Sequence, residues 1–364
     1  MDLPNRRTAI ESFRKGGGRI AAVFPGRYPR EILLAAGFLP VEVWDPPGPI
    51  ARASAHAQPF VCGVGLRGLE LLLSEKTPAL DCLLFPHLCD TLQNLFTVVR
   101  DCIGHPVPAT LFYTPRNVAD AGVASFVESQ VRRLAAFLSS RSGVSVDDDG
   151  LAKAGAAMDK VHEAMQSLYS ARRQGRIHAS NADFYRTVRL REYVVPSEFL
   201  QAADRLMAGQ STSSENAPSG PRLVLSGVLP DRDLLALLDQ LGVRLCEDDL
   251  ISCGRRFPRT HVAADKDPWK ASAARLLSLP PCTSIASPVE QRVAFLSEMV
   301  RNSGAAGIIL HTVKFCELEL FDHPFVVQGL RQAGIPVLVL ESELHQPQLG
   351  QLGTRLEAFL EVLS

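Results

Sequence analysis

Eight cysteines punctuate the 364-residue chain, and three stand where the local pattern could make a thiolate. Cys62 lies in QPFVCGVGLRG, Cys89 in FPHLCDTLQNL and Cys316 in HTVKFCELEL. Each run reads as a loop that leaves a strand and opens a helix. The positive end of a helix dipole favours a thiolate and lowers its pKa. Thiolates are the ligands of iron–sulfur clusters. Three that converge in space could hold one cluster, whereas three that do not converge pack as small hydrophobes. Spacing leaves both readings open, because the chain has neither a CxxC pair nor a compact ferredoxin-type run.

The other cysteines carry weaker signals. Cys253, in DDLISCGRRF, falls in a loop of the second half and is a further candidate for the same site. Cys246 ends a strand before the Glu247-Asp248-Asp249 run, which reads as a solvated loop or a cap, with cation binding as the alternative. Cys82, Cys102 and Cys282 have no motif and read as packing residues. Asp90, next to Cys89, could cap its helix or hydrogen-bond a substrate. Arg255 and Arg256 could meet phosphates. His87, His311 and His345 lie in strand-end loops and read as surface or packing residues rather than acids or bases.

Several chemistries find no support. No G-x-x-x-x-G-K-S/T run is present, so no phosphate loop is expected. Gly16–Gly18 precedes a strand, whereas the dinucleotide fingerprint follows one, so it reads as a turn. There is no H-E-x-x-H, no G-x-S-x-G and no zinc spacing among the nine histidines.

The elements that must position these residues alternate between short apolar runs and amphipathic stretches, which argues for α/β units on parallel sheets. Strands are expected at 19–24, 39–44, 81–85 and 109–113, with helices at 29–36, 65–74 and 90–101. Helical periodicity then runs over 120–141, 147–173 and 181–207, with a break near Pro196. The run GQSTSSENAPSGP is small and polar and reads as a linker. A second series follows: strands at 222–226, 243–246, 307–311 and 335–340, with helices at 231–241, 288–302, 321–333 and 349–363. The fold class is therefore α/β, with two Rossmann-like or flavodoxin-like parallel-sheet domains and a helical middle region. The expected boundaries are 1–118 for the N-terminal α/β domain, 119–209 for the helical region, 210–221 for the linker and 222–364 for the C-terminal α/β domain. Ligands of such sheets bind beyond the carboxyl ends of the strands, where Cys62, Cys89 and Cys316 fall.

Bulk composition narrows the partners. The formal net charge is -1, so no basic surplus exists to neutralise nucleic-acid phosphates. No apolar run is long enough for a signal-peptide core or a membrane helix. The expected compartment is the cytoplasm, where thiols stay reduced and structural disulfides are not expected.

Longer blocks carry a family resemblance. PREILLAAGFLPVEVW resembles the N-terminal block of the 2-hydroxyglutaryl-CoA dehydratase D-component family, which embraces 2-hydroxyacyl-CoA dehydratases and benzoyl-CoA reductases. FPHLCDTLQNL resembles its central cysteine block. LVLSGVLPDRDLLALLDQLGVRLCEDDLISCGRRF resembles the block that opens its C-terminal half. AAGIILHTVKFCELELFDHPFVVQGLRQAGIPVLVLESE resembles its last cysteine block, and GQLGTRLEAFLE its closing helix. The blocks stand in family order along nearly the whole chain. Two departures are visible: Phe315-Cys316-Glu317 where Phe-Cys-Asp is usual, and Pro29-Arg30-Glu31 where an acidic pair is usual.

The resemblance implies a [4Fe-4S] cluster held between domains by Cys62, Cys89 and Cys316, with the fourth iron position free of cysteine. It implies a homologous second subunit, an ATP-dependent iron–sulfur activator that delivers a low-potential electron, and an acyl-CoA substrate. In dehydratases that electron makes a ketyl radical of the thioester and the hydroxyl leaves; in benzoyl-CoA reductases it goes to an aromatic ring. Two alternatives stay open. One is a homodimeric reductase of small molecules with a double-cubane [8Fe-9S] cluster, which needs about twice the thiolates. The other is a non-catalytic, cluster-carrying accessory subunit.

Overall fold

The computed structural model describes residues 3–74, 79–118, 120–209, 220–259, 265–345 and 348–363. The first half runs α1 (Arg6–Lys15), β1 (Arg19–Val23), α2 (Arg30–Ala35), β2 (Phe38–Glu42), α3 (Gly63–Leu73), β3 (Cys82–His87), α4 (Asp90–Thr97) and β4 (Ala109–Tyr113). Four helices follow: α5 (Val123–Ser142), α6 (Asp148–Arg173), α7 (Asn181–Arg189) and α8 (Pro196–Met207). The second half runs β5 (Arg222–Gly227), α9 (Arg232–Gln240), β6 (Arg244–Leu250), α10 (Pro268–Leu277), α11 (Val289–Ser303), β7 (Gly307–Val313), α12 (Glu317–Gln332), β8 (Val337–Ser342) and α13 (Leu349–Leu363). The expected linker 210–221 lies outside the described residues except for Gly220 and Pro221.

Both sheets are wholly parallel, in the orders β2-β1-β3-β4 and β6-β5-β7-β8. The two halves thus share one flavodoxin-like topology, with the switch point between β1 and β3 in one and between β5 and β7 in the other. Their central strands are buried on both faces, as the near-continuous apolar runs RIAAV and GIILHTV require.

The helical middle is the filling between the sheets. Ile20, Leu39 and Val41 of the first sheet share one core with Met165 and Leu168 of α6, Phe199 of α8 and Leu223, Leu225 and Leu245 of the second sheet. A second core buries α2 and α5 on the opposite face of the first sheet. Trp269, Ala273 and Leu276 of α10 join that second core, so a helix from the C-terminal half packs on the N-terminal one.

Neither α1 nor α10 is marked by the sequence pattern. Only Ala9 and Ile10 are buried in α1, too few for an apolar stripe. In α10 the start is set by Asp267, whose carboxylate accepts from the Trp269 and Lys270 N–H groups. Helix α12 begins at Glu317 rather than at 321, because Cys316 is its N-cap.

Arginines lock the halves together. Arg256, in the turn after β6, donates to Glu42 of β2 at 3.0 Å and to the Gly26 carbonyl in the turn after β1. Arg67 of α3 donates to the Leu344 carbonyl at 2.8 Å. These residues are buried, and a cavity lies between the two switch points.

Candidate functional site

Cys62, Cys89 and Cys316 line one cavity of about 60 Å3 between the two sheets. Its walls are apolar and come from both halves: Trp44, Val64 and Leu88 on one side, Val228, Ile251 and Val313 on the other. Each cysteine is the N-cap residue of a helix, Cys62 of α3, Cys89 of α4 and Cys316 of α12. Cys89 follows β3 and Cys316 follows β7, so they hold the same topological position in the two halves.

Close packing brings the first pair together. A Cβ on Gly65 would stand 2.7 Å from Thr91 Cγ2, and one on Gly68 would stand 2.5 Å from the Phe24 ring. Only glycine lets α3 lie this close to α4 and to the sheet. Beneath the sheet end, Phe24 and Phe85 stack at 4.1 Å between centroids. A different device sets Cys316. Phe315 holds a left-handed backbone with φ 65, which a residue with a bulky side chain seldom adopts, and this kink turns the chain into α12. Glu319, in the first turn of α12, receives Arg255 at 2.9 Å and contacts His323 at 3.2 Å; the Arg255 pair pins the helix start to the turn after β6.

Electrostatics favour protonated thiols in the metal-free chain. Burial pushes the Cys89 thiol up to about 12, and the neighbouring Cys62 adds to the shift. Burial likewise raises Cys62. It lifts Cys316 well above the ordinary range, with Cys62 and Cys89 contributing in turn. The three sulfurs therefore lie close enough to oppose one another's ionisation. Backbone N–H groups at the helix starts act the other way, Val64 and Gly65 on Cys62, Thr91 and Leu92 on Cys89, and Glu319 on Cys316.

The donor set fits a polynuclear group better than a single ion. Among the described residues, no three His, Cys, Asp or Glu side chains are close enough to share one metal ion. A cluster of several irons and sulfides spans more space than an ion and takes thiolates spread around it. Soft sulfur ligands in a dry pocket match that chemistry, and bound iron would hold the thiolates deprotonated against burial.

The remaining candidates separate. Asp90 is exposed and pairs with Arg116 at 3.6 Å; the capping position belongs to Cys89. Cys253 is fully buried in the core shared with the helical middle and does not line the cavity. Cys82 packs inside β3, Cys246 donates to the Leu223 carbonyl inside β6, and Cys102 is exposed rather than packed. The acidic run is not a solvated loop. Asp248 and Asp249 are at most 1% exposed and lie in β6 with Glu247. Arg255 reaches Asp249 at 2.7 Å, Arg173 and Arg259 flank Glu247, and Asp248 accepts from Tyr169. Arg255 and Arg256 are internal and offer nothing to an exposed phosphate. His311 is buried against Ser342 at 2.8 Å, and burial lowers its pKa to about 4, so it is neutral at pH 7. His87 contacts Gln93 at 2.5 Å, and His345 reaches the Asp45 carbonyl at 3.2 Å.

A roomier cleft of about 600 Å3 lies elsewhere, lined by Tyr169, Arg173, Glu247, Arg259 and Met299. Both of its guanidinium groups are paired with Glu247. It holds no cysteine, so the smaller apolar cavity is the candidate site.

Comparison with known proteins gives the family. The family described as 2-hydroxyglutaryl-CoA dehydratase, D-component, matches residues 26–363. The (R)-phenyllactyl-CoA dehydratase beta subunit of Clostridium sporogenes is 24% identical, over 98% of this chain and 95% of its own length. A benzoyl-CoA reductase subunit of Thauera aromatica is 23% identical over 92% and 89%. The (R)-2-hydroxyglutaryl-CoA dehydratase beta subunit of Acidaminococcus fermentans is 21% identical over 98% and 96%.

Proposed function

The chain belongs to the 2-hydroxyglutaryl-CoA dehydratase D-component family, and from that premise we propose that it is the β-type iron–sulfur subunit of a radical 2-hydroxyacyl-CoA dehydratase or benzoyl-CoA reductase type enzyme. The observation that carries the reading is the meeting of Cys62, Cys89 and Cys316, from both halves, in one apolar cavity. Those residues would hold a [4Fe-4S] cluster. When bound, such a group supplies a one-electron store and an iron with an open position for a thioester or hydroxyl oxygen.

The chain's own residues prepare the site. Three helix N-termini favour the thiolate form of their cap residues. Trp44, Leu88, Val228, Ile251 and Val313 exclude water, which protects radical chemistry from side reactions. Arg256 ties the turn after β6 to Glu42 of β2, and Arg255 ties the same turn to Glu319 of α12, so one turn joins segments of both halves next to the cysteines.

Similar chains are named beta subunits of dehydratases. On that ground we assign a homologous second subunit as partner, with an ATP-dependent activator and an acyl-CoA thioester as the other participants. Among the described residues no helix is long and apolar enough to cross a membrane, and the reading places the enzyme in the cytoplasm. A homodimer with a double-cubane cluster draws less support, since each chain brings three cysteines to the cavity and that cluster needs about twice the thiolates.

Anaerobic co-expression with the homologous subunit tests the proposal. A stable complex that consumes a 2-hydroxyacyl-CoA or an aromatic acyl-CoA only with activator and ATP is the expected result. A chain that turns over small molecules alone, with no second subunit, would overturn it.

A further inference from the structure

Helix α12 is apolar on two sides. Its inner side sends Val326 and Leu330 into the core beside Leu296 and Met299 of α11, as a helix packed on a sheet must. Its outer side carries a second stripe, Leu320, Phe321, Pro324 and Phe325, at the spacing of one helix face, and all four are exposed. Phe321 is 75% exposed, Phe325 60% and Leu320 39%. No other helix among the described residues leaves three large apolar side chains in water. Taking about 200 Å² for each side chain, the three leave about 350 Å² of apolar surface uncovered, the size at which a surface patch often carries function.

Pro324 and the charges around it give the stripe a centre and two ends. A proline inside a helix removes the backbone bond to the carbonyl four residues earlier, here that of Leu320, and Pro324 gives nothing to the core in return. On the outer face it supplies a flat apolar surface that another helix can approach closely. Glu317 lies seven residues before it and Arg331 seven residues after it, both exposed on the same face. At 1.5 Å per residue each stands about 10 Å from the proline along the axis. Neither is ion-paired among the described residues, whereas Asp322 of the same helix is already held by Arg292 at 3.1 Å.

We propose that two copies of this chain pair through the outer face of α12, antiparallel and about a two-fold axis at Pro324, with Leu320, Phe321 and Phe325 at the centre and a Glu317–Arg331 pair at each end. A two-fold contact needs a surface complementary to itself. This stripe is apolar in the middle, with opposite charges equidistant from it. The axis at Pro324 sets Glu317 of each copy against Arg331 of the other, and sliding one helix by a turn leaves both pairs unmade. Pairing covers the stripe on both copies, about 700 Å² of apolar surface, which suits the hydrophobic centre of a stable interface of about 1,200–2,000 Å². A formal net charge of -1 gives two copies little reason to repel. Copy pairing needs neither the cluster nor the function proposed above, and it leaves the homologous second subunit free to bind another face.

Sedimentation equilibrium of the metal-free full-length chain tests the pairing at about 20 µM, where a Kd of about 1 µM keeps most chains paired. Wild type should have twice the chain mass of 39.6 kDa. Phe321→Gln with Phe325→Gln should have the single-chain mass, since both side chains are exposed and their loss spares the core. Val362→Gln, at an equally exposed residue of α13, should leave the dimer intact. Arg331→Glu should weaken it about tenfold, because two-fold symmetry places each lost pair in the interface twice, and adding Glu317→Arg should recover the loss. Near-ultraviolet circular dichroism identifies the variants that fold.

A wild-type monomer at about 100 µM would overturn the proposal. So would a dimer that survives loss of both phenylalanines, or one indifferent to the two charge reversals. A chain that is monomeric alone and binds the homologous subunit through this stripe would overturn it as well, and would make that subunit the occupant. A dimer that takes up no iron would sink the function above and leave the pairing standing; a monomer that holds the cluster would do the reverse.

Discussion

Raising the pH on the metal-free protein should weaken it through Cys89 in a way that can be isolated. In the folded chain its thiol is pushed up to about 12 by burial and then by Cys62. An unfolded cysteine titrates near about 8.5. Between those values the unfolded chain releases a proton that the folded chain keeps, so stability is full below about pH 8.5 and falls as pH rises toward 12. At about pH 9.5 the loss from this one thiol is about 1.4 kcal/mol. Cys62 and Cys316 are also raised and add losses of the same sign. Urea midpoints at about pH 7 and 9.5, for wild type and Cys89→Ser, isolate the effect, because serine does not titrate there and the other groups cancel. The variant should lose about 1.4 kcal/mol less than wild type over that interval. Equal losses would mean that the Cys89 sulfur is solvated in the folded chain, and the account of a dry thiol cavity would fail. Protein with iron bound should lose this alkaline sensitivity, since its thiolates are already formed.

Arg255→Met should cost about 3–5 kcal/mol by thermal or urea melting, because Asp249 and Glu319 would stay buried with their nearest guanidinium lost and only the more distant Arg292, at 3.7 Å from each, in its place. Adding Asp249→Asn and Glu319→Gln should recover much of that, and a cost under about 1 kcal/mol would show the network to be solvent-screened. Gly65→Ala should lower iron content after reconstitution, since the new methyl meets Thr91 Cγ2 at 2.7 Å, and Thr91→Ser should restore it; unchanged iron would mean that α3 need not lie so close to α4. Gly227→Ala should cost more than about 2 kcal/mol in a melt, with φ at 153 and a Cβ 2.1 Å from the His311 carbonyl, whereas Gly17→Ala, with φ 79 and open space around it, should cost about 1 kcal/mol.

Apolar runs such as RIAAV and GIILHTV are enough to read both sheets, because a central parallel strand must be hydrophobic on both faces. Cys62, Cys89 and Cys316 stand out for a related reason: a residue between a strand end and a helix start has a predictable place in an α/β fold. Charges mislead more than apolar residues. Glu247, Asp248 and Asp249 read as solvated because their partners Arg173, Arg255, Arg259 and Tyr169 are distant or unmarked in the chain, and a buried network has no local signature. Arg255 and Arg256 mislead for the same reason. The spacing of Gly65 and Gly68 is visible, but what it spaces, the Thr91 methyl and the Phe24 ring, emerges only in three dimensions. Cys282 has no motif at all; its surroundings are arginines contributed by three separate segments.

The most direct test of the three-thiol cluster is iron and sulfide content, with electron paramagnetic resonance, on anaerobically prepared wild type and on Cys62→Ala, Cys89→Ala and Cys316→Ala. The account predicts about four irons per chain in wild type and their loss in each variant. Iron-free wild type after reconstitution, with all three variants folding normally, would contradict it and return the cysteines to ordinary packing.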